Sequence, residues 1–256
     1  MKIISCVVFS ILTINCNRNT SNKDQQFTSL GGASSSYKTI GEIPTPSGYK
    51  RIIEERNSFG VWLRNIPLKH DPGIYLFNGR LRDNQSTHFA VLDIPVGDKD
   101  LQQCADAIMR LRAEYLFSQG KYSEIEFRDN ANKAYKWTKG ADNVAFRKYL
   151  ETVFGMCGSA SLEKQLLPVA RMQDIKAGDI LIKGGFPGHA MIVVDVAVND
   201  EGNKVFMLAQ SYMPAQDIHI VKNPSDHTLS PWYQVTDEKE IITPEWTFAN
   251  EQLRRW

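Results

Sequence analysis

The stretch that decides the fold runs from Gly178 to Gln210 and reads GDILIKGGFPGHAMIVVDVAVNDEGNKVFMLAQ. It contains apolar runs rich in β-branched residues, which lie at 179–182, 189–198 and 205–210, and a similar run follows at 217–221. Runs of this length, bounded by glycine, proline and asparagine, predict β-strands. Because Asp200–Asn203 provides only a tight turn between two of them, we expect an antiparallel meander.

Helical periodicity precedes this stretch. Apolar side chains recur at helical spacing from Leu101 to about Phe117, and Asp98 or Asp100 is placed to cap that helix. Further helices are predicted at 144–154 and 159–167. Helices that come first and strands that come later predict an α+β fold, with the N-terminal helices packed on an antiparallel sheet.

The first 16 residues predict an export signal. Lys2 precedes an apolar run at 3–14, which has the length of a signal-peptide core and is shorter than the ~20 residues of a membrane-spanning helix. Cys16 closes this run and a polar segment follows it, as in the signals of bacterial lipoproteins. A lipid anchor at Cys16 would place the protein on a membrane, in the periplasm or at the outer surface. Export without lipidation stays open, because Ile14 and Asn15 are not the small residues preferred before a lipidated cysteine.

The remaining chain divides into a linker and a domain. Residues 17–38 are polar and end in a Gly- and Ser-rich segment, which predicts a flexible linker. Residues 39–256 are expected to form a single α+β domain. No later run is long and apolar enough to span a membrane.

Composition excludes several classes of function. The chain has 30 Lys and Arg residues against 29 Asp and Glu residues, so it lacks the basic excess of a general nucleic-acid binder. The five histidines are scattered and no Cys-x-x-Cys pair is present, so we predict no structural zinc. The glycines at 184–188 are not followed by the Lys-Ser/Thr of a phosphate-binding loop, and we predict no cofactor.

Three residues around the decisive stretch suggest thiol chemistry. Cys157 is predicted to begin a helix, where unpaired backbone N–H groups would lower the pKa of its thiol. His189 opens a predicted strand and Gln210 ends the next one. A nucleophilic thiol needs a base to take its proton, and the base needs an orienting group. We therefore predict Cys157, His189 and Gln210 as catalytic residues.

This pattern resembles the papain-like cysteine peptidases and amidases of bacterial cell walls, the NlpC-type and CHAP-type domains. Their core has a helix-start cysteine, a Gly-Asp strand, a Gly-His strand and a further strand with a polar third residue. The matching residues here are Cys157, Gly178-Asp179, Gly188-His189 and Gln210. The resemblance implies a papain-like core at about 144–222 and cleavage of a peptide or cell-wall amide.

The chain after the signal also resembles an uncharacterised family of secreted bacterial proteins, known as a domain of unknown function. Three segments carry this resemblance, LQQCAD at 101–106, GGFPGHA at 184–190 and AQSYMPAQ at 209–216. It implies export but no activity.

Cys104 is a rival nucleophile. It lies in the first turn of a predicted helix and follows Gln102 and Gln103, and a glutamine just before the nucleophile stabilises the oxyanion in papain-like enzymes. Against this role, Cys104 falls on the apolar stripe of the helix, where cysteines are commonly inert. A disulfide between Cys104 and Cys157 is a further alternative in an oxidising compartment.

These observations leave three hypotheses. The first is a thiol-dependent amidase or peptidase of the envelope, in which Tyr212, Gln216 and His219 line the binding cleft. The second is a non-catalytic papain-like protein that binds a peptide or a glycan in the bacterial envelope. The third is a structural lipoprotein of an envelope complex.

Overall fold

The computed structural model describes residues 37–256. The predicted signal segment with Cys16, and the predicted linker up to residue 36, lie outside the described residues. Within residues 37–256, no helix has both the length and the apolar character needed to cross a membrane.

The helices and strands follow one another along the chain with the helices mostly in the first part. The helices are α1 (Phe59–Arg64), α2 (Cys104–Ser118), α3 (Asn143–Met156) and α4 (Ser159–Glu163). The strands are β1 (Tyr49–Arg51), β2 (His88–Val91), β3 (Glu126–Arg128), β4 (Ala134–Lys136), β5 (Leu167–Pro168), β6 (Ile180–Lys183), β7 (His189–Asn199), β8 (Lys204–Gln210), β9 (His219–Val221), β10 (Trp232–Gln234), β11 (Glu240–Ile242), β12 (Thr247–Ala249) and β13 (Leu253–Arg255).

A nine-stranded sheet organises the molecule. Its order is β2-β9-β8-β7-β6-β13-β5, with β1 added beside β7 and β10 beside β8. Every pairing in it is antiparallel. The hairpins β3–β4 and β11–β12 lie outside this sheet. The predicted α+β class with a large antiparallel sheet is thus confirmed, and the four predicted runs of the meander correspond to β6, β7, β8 and β9.

β7 lies between two apolar cores and contributes to both, because successive side chains of a strand point to opposite faces of the sheet. Ala190, Ile192 and Val194 face the larger core, which also contains the buried side of α2. Met191 and Val193 face the smaller core on the other side. Two-sided burial explains why this strand is an almost unbroken apolar run.

The predicted helix boundaries differ from the observed ones. The helix predicted from Leu101 begins at Cys104. The helix predicted at 159–167 ends at Glu163, and Leu167 pairs with Arg255 as part of the sheet. Cys157 was predicted to begin a helix, but it caps the C-terminal end of α3.

Candidate functional site

A cleft of about 630 Å³ opens where α2 begins. Its walls are the first turn of α2, the junction between α3 and α4, and the Gly-Pro-rich loop that leads into β7. Cys104, Cys157 and His189 all line it. Both cysteines are free thiols, and no disulfide joins them.

The loop before α2 is held against the loop that follows β8. The hydroxyl of Ser211 donates to the carbonyl oxygen of Gln102 at 2.9 Å, and the N–H of Ala215 donates to Oδ1 of Asp100 at 2.7 Å. Ser211 directly follows Gln210. These bonds fix the start of α2, and therefore Cys104, beside the end of β8.

The Cys104 thiol lies next to the beginning of β7. Burial raises its pKa, and the nearby Asp106 acts in the same direction. The backbone N–H groups of Ala105, Ala190 and Cys104 itself oppose this shift by hydrogen bonding to the sulfur. Because Ala190 follows His189 directly, the sulfur lies near the base that the sequence predicts. The described residues show no hydrogen bond between the thiol and the imidazole.

His189 is a buried, neutral imidazole. Its Nε2 lies 2.6 Å from Oε1 of Gln210. Burial lowers the pKa of His189 to about 4, and the bond to Gln210 opposes this shift only in part. The rings of Tyr212 and Trp246 lie against it, with centroids at 5.1 Å and 5.4 Å.

The hydrogen-bond network assigns the tautomer of His189. Nδ1 of His219 lies 2.9 Å from the carbonyl oxygen of Asp217, so this nitrogen donates, and Nε2 of His219 accepts. Nε2 of Gln210 lies 3.2 Å from that acceptor and also donates to the carboxylate of Glu245. With both N–H groups of the amide engaged, Oε1 of Gln210 faces His189 and accepts. His189 therefore carries its proton on Nε2, which leaves Nδ1 free to take a proton.

Two residues of this network cannot be identified from the sequence. Glu245, which accepts from Gln210, forms an ion pair with Arg82, and both side chains are mostly buried. They come from opposite ends of the domain and from irregular segments, so no local spacing relates them to His189. Only the fold brings them together.

Cys157 has a different environment. Its backbone N–H donates to the carbonyl oxygen of Val153 at the end of α3. The sequence predicted a lowered pKa for this thiol, whereas burial raises it to about 11 and the charges of Asp129 and Asp106 act in the same direction. The lowering expected at the start of a helix also fails, because Cys157 lies at the C-terminal end of α3. The positive end of a helix dipole is the N-terminus, and Cys157 ends α3.

The predicted binding residues are divided between the cleft and the core. Tyr212 lines the cleft. Gln216 and His219 are buried outside its lining, and His219 lies behind Gln210. Gln102, considered above as an oxyanion donor, is buried with its amide bonded to Arg110 and to the carbonyl oxygen of Gln216.

Across residues 37–256, no group of three or more His, Cys, Asp or Glu side chains is disposed to hold a metal ion.

Comparison with known proteins gives a family but no activity. The family described as Domain of unknown function (4846) matches residues 40–144 and 129–255, which together span most of the chain. The chain therefore belongs to that family. No curated protein and no solved structure matches it at a significant level.

Proposed function

We propose that this member of the Domain of unknown function (4846) family is a thiol-dependent amidase or peptidase, with Cys104 as nucleophile and His189 as base. The observation that carries the proposal is a chain of hydrogen bonds with assigned donors and acceptors, which runs from Glu245 and His219 through Gln210 to His189. It presents an unprotonated Nδ1 on an imidazole that lines the same cleft as the Cys104 thiol.

Cys104 suits the nucleophile's role better than Cys157. It begins a 15-residue helix whose first turn lies beside β7, and the backbone N–H groups of Ala105, Ala190 and Cys104 oppose the rise in the pKa of its thiol. Such groups stabilise a thiolate and stand near the position where an oxyanion develops. Cys157 instead ends a helix, and Asp129 and Asp106 oppose its ionisation.

The reaction follows from these positions. His189 Nδ1 takes the proton of the Cys104 thiol as Sγ attacks the carbonyl carbon of an amide, which gives a tetrahedral oxyanion. The oxyanion collapses to a thioester, and the imidazolium returns the proton to the departing amine. Water then attacks the thioester with His189 as base, which releases the acid and restores the thiol. Gln210 touches no substrate in this scheme and acts as a positioning residue.

The proposal extends to the fold type and to location. A cysteine at the start of a helix that packs on an antiparallel sheet, with histidine and a polar residue on adjacent strands, is a papain-like arrangement. Its core would then run from Cys104 to about Val221 and not from residue 144. Export by the N-terminal segment, with or without an anchor at Cys16, would bring the cleft to peptide or cell-wall amides.

A second function is supported by a separate observation. Burial raises the pKa of the Cys104 thiol and lowers that of His189, so the cleft holds a neutral pair and not a thiolate–imidazolium pair. The lining also includes several apolar side chains, Phe154, Met156, Phe186, Met213 and Trp246. A non-catalytic protein that binds a peptide or a glycan in this cleft would have the same properties.

Turnover by matched variants tests the proposal. The reduced protein is incubated with muropeptides and with a mixed peptide pool, and newly released amines are detected by mass spectrometry. We expect release by the wild type and by Cys157→Ala, and at least a 100-fold loss in Cys104→Ala and in His189→Ala. Loss in Cys157→Ala with release retained in Cys104→Ala would contradict the assignment. Binding without release, equal in wild type and Cys104→Ala, would support the non-catalytic protein.

A further inference from the structure

Asp106 is a buried carboxyl in the cleft that the proposed reaction does not use. Asp106 lies on the first turn of α2, two residues after Cys104, and is 6% exposed. Oδ2 accepts the backbone N–H of Gln103 at 3.0 Å. Oδ1 is buried and has no hydrogen-bond partner among the described residues. A buried polar atom without a partner costs free energy unless a ligand satisfies it.

No cation faces this carboxyl from the walls of the cleft. The lining contains no Lys or Arg. Its other titratable groups are Cys104 on the same helix, Cys157 from the end of α3, His189 from β7, Tyr212 from the loop after β8 and Asp100 before α2. Arg110 lies one turn further along α2, but its guanidinium bonds to Glu114, Gln102 and the carbonyl oxygen of Pro95.

Without a cation, the buried carboxyl remains protonated. Burial raises the pKa of Asp106 to about 8, and the bond from Gln103 opposes this only in part. Because Oδ2 already accepts a hydrogen bond, the proton belongs on Oδ1. The carboxyl that lines the cleft from α2 is therefore a hydroxyl donor, which suits a ligand with a free oxygen acceptor.

We propose that Asp106 donates a hydrogen bond from Oδ1 to the carbonyl oxygen of an uncharged peptide group adjacent to the amide that Cys104 attacks. This inference rests on the proposed function and defines its substrate class. The substrate carries an acylated residue at this point of the cleft, not a free amino terminus. An ammonium group would need an ionised partner beside it, and a protonated Asp106 offers none.

Two probes that differ only in an acetyl group separate these substrates. Acetyl-alanine chloromethyl ketone presents an acyl carbonyl next to the reactive ketone, and alanine chloromethyl ketone presents a free amine at that position. Both alkylate thiols, and iodoacetamide measures the intrinsic reactivity of Cys104 for normalisation. We expect the wild type to prefer the acetylated probe at pH 7.

The matched variants are Asp106→Ala, which removes the donor, and Asp106→Asn, whose amide also donates. We expect the normalised rate with the acetylated probe to fall roughly tenfold in Asp106→Ala. In Asp106→Asn it falls at most about threefold, because the amide replaces the lost donor. In the wild type the preference weakens as the pH rises through about 8, where Asp106 loses its proton, and in Asp106→Asn it does not.

An independent measurement reads Asp106 directly. The ¹³C resonance of its carboxyl carbon, assigned by its absence in Asp106→Asn, should show the protonated form at pH 7. An ionised Asp106 at pH 7, or a preference for the free amine that Asp106→Asn abolishes, would overturn the inference in favour of a cation site. If Cys104 reacts with neither ketone while Asp106 is protonated, it is the proposed function that fails, and the substrate assignment fails with it.

Discussion

Gln210 is the residue on which the candidate site depends most. Its amide contacts two histidines and a carboxylate, and each contact uses a different atom or hydrogen. An amide with both N–H groups engaged cannot flip without losing two bonds. The role of Gln210 is therefore to fix which nitrogen of His189 is available as a base.

Glu245→Gln tests this role at the residue scale. The substituted amide can donate as well as accept, so it no longer requires an N–H of Gln210 to face it, and it also loses the charge that pairs with Arg82. We expect the alkylation rate of Cys104 to fall roughly tenfold, with the reaction of Cys157 in the same sample unchanged as an internal control. The pH dependence of the Cys104 alkylation rate in this variant should also be shifted relative to that of the wild type. A rate and profile equal to those of the wild type would mean that Glu245 only stabilises the fold.

At the scale of elements, β7 is anchored by an ion-pair cluster in its second half. Asp195 is fully buried and accepts from Arg51 of β1 and Arg64 of α1, each at 2.6 Å. It lies where the register between β7 and β8 shifts. The cluster ties three elements together, and β7 begins with His189 at its other end.

Asp195→Ala should destabilise the protein strongly. It leaves two mostly buried guanidinium groups without their partner, and we expect a loss of about 3–5 kcal/mol in the free energy of unfolding. The control is Asp200→Ala, because the pair of Asp200 with Lys50 is largely exposed and should contribute less than about 1 kcal/mol. Urea unfolding measures both. Equal losses would show that burial of the Asp195 cluster does not increase its contribution to the free energy of unfolding.

Element boundaries are also where the sequence-based predictions differ most from the structure. Periodicity predicted α2 correctly as a helix, but it placed Cys104 inside the first turn and not at the first residue. Residues 101–103 are held outside the helix by bonds to Ser211 and Gln216, which are distant in sequence. The conformation of these three residues thus decides whether Cys104 lies on the apolar face of the helix or faces the cleft. The local sequence pattern does not determine that conformation.

At the scale of the whole molecule, local runs predicted the strands β6 to β9 and their antiparallel pairing. They did not predict β1, β10 and β13, which are short and pair with segments far away in the chain. The same limit applies to the site. His189 and Gln210 follow from adjacent strand ends, whereas Glu245 and Arg82 depend on the complete fold.

The central claim is that His189 activates Cys104 in the cleft, and site-resolved alkylation tests it most directly. Reduced protein is pulsed with iodoacetamide at neutral pH, and labelling of each cysteine is quantified by mass spectrometry in the wild type, in His189→Ala and in His227→Ala, which removes an exposed histidine outside the lining of the cleft. We predict that Cys104 is labelled faster than Cys157 and that His189→Ala alone slows Cys104, by at least tenfold. Equal labelling of Cys104 in all three proteins, or faster labelling of Cys157, would contradict the account.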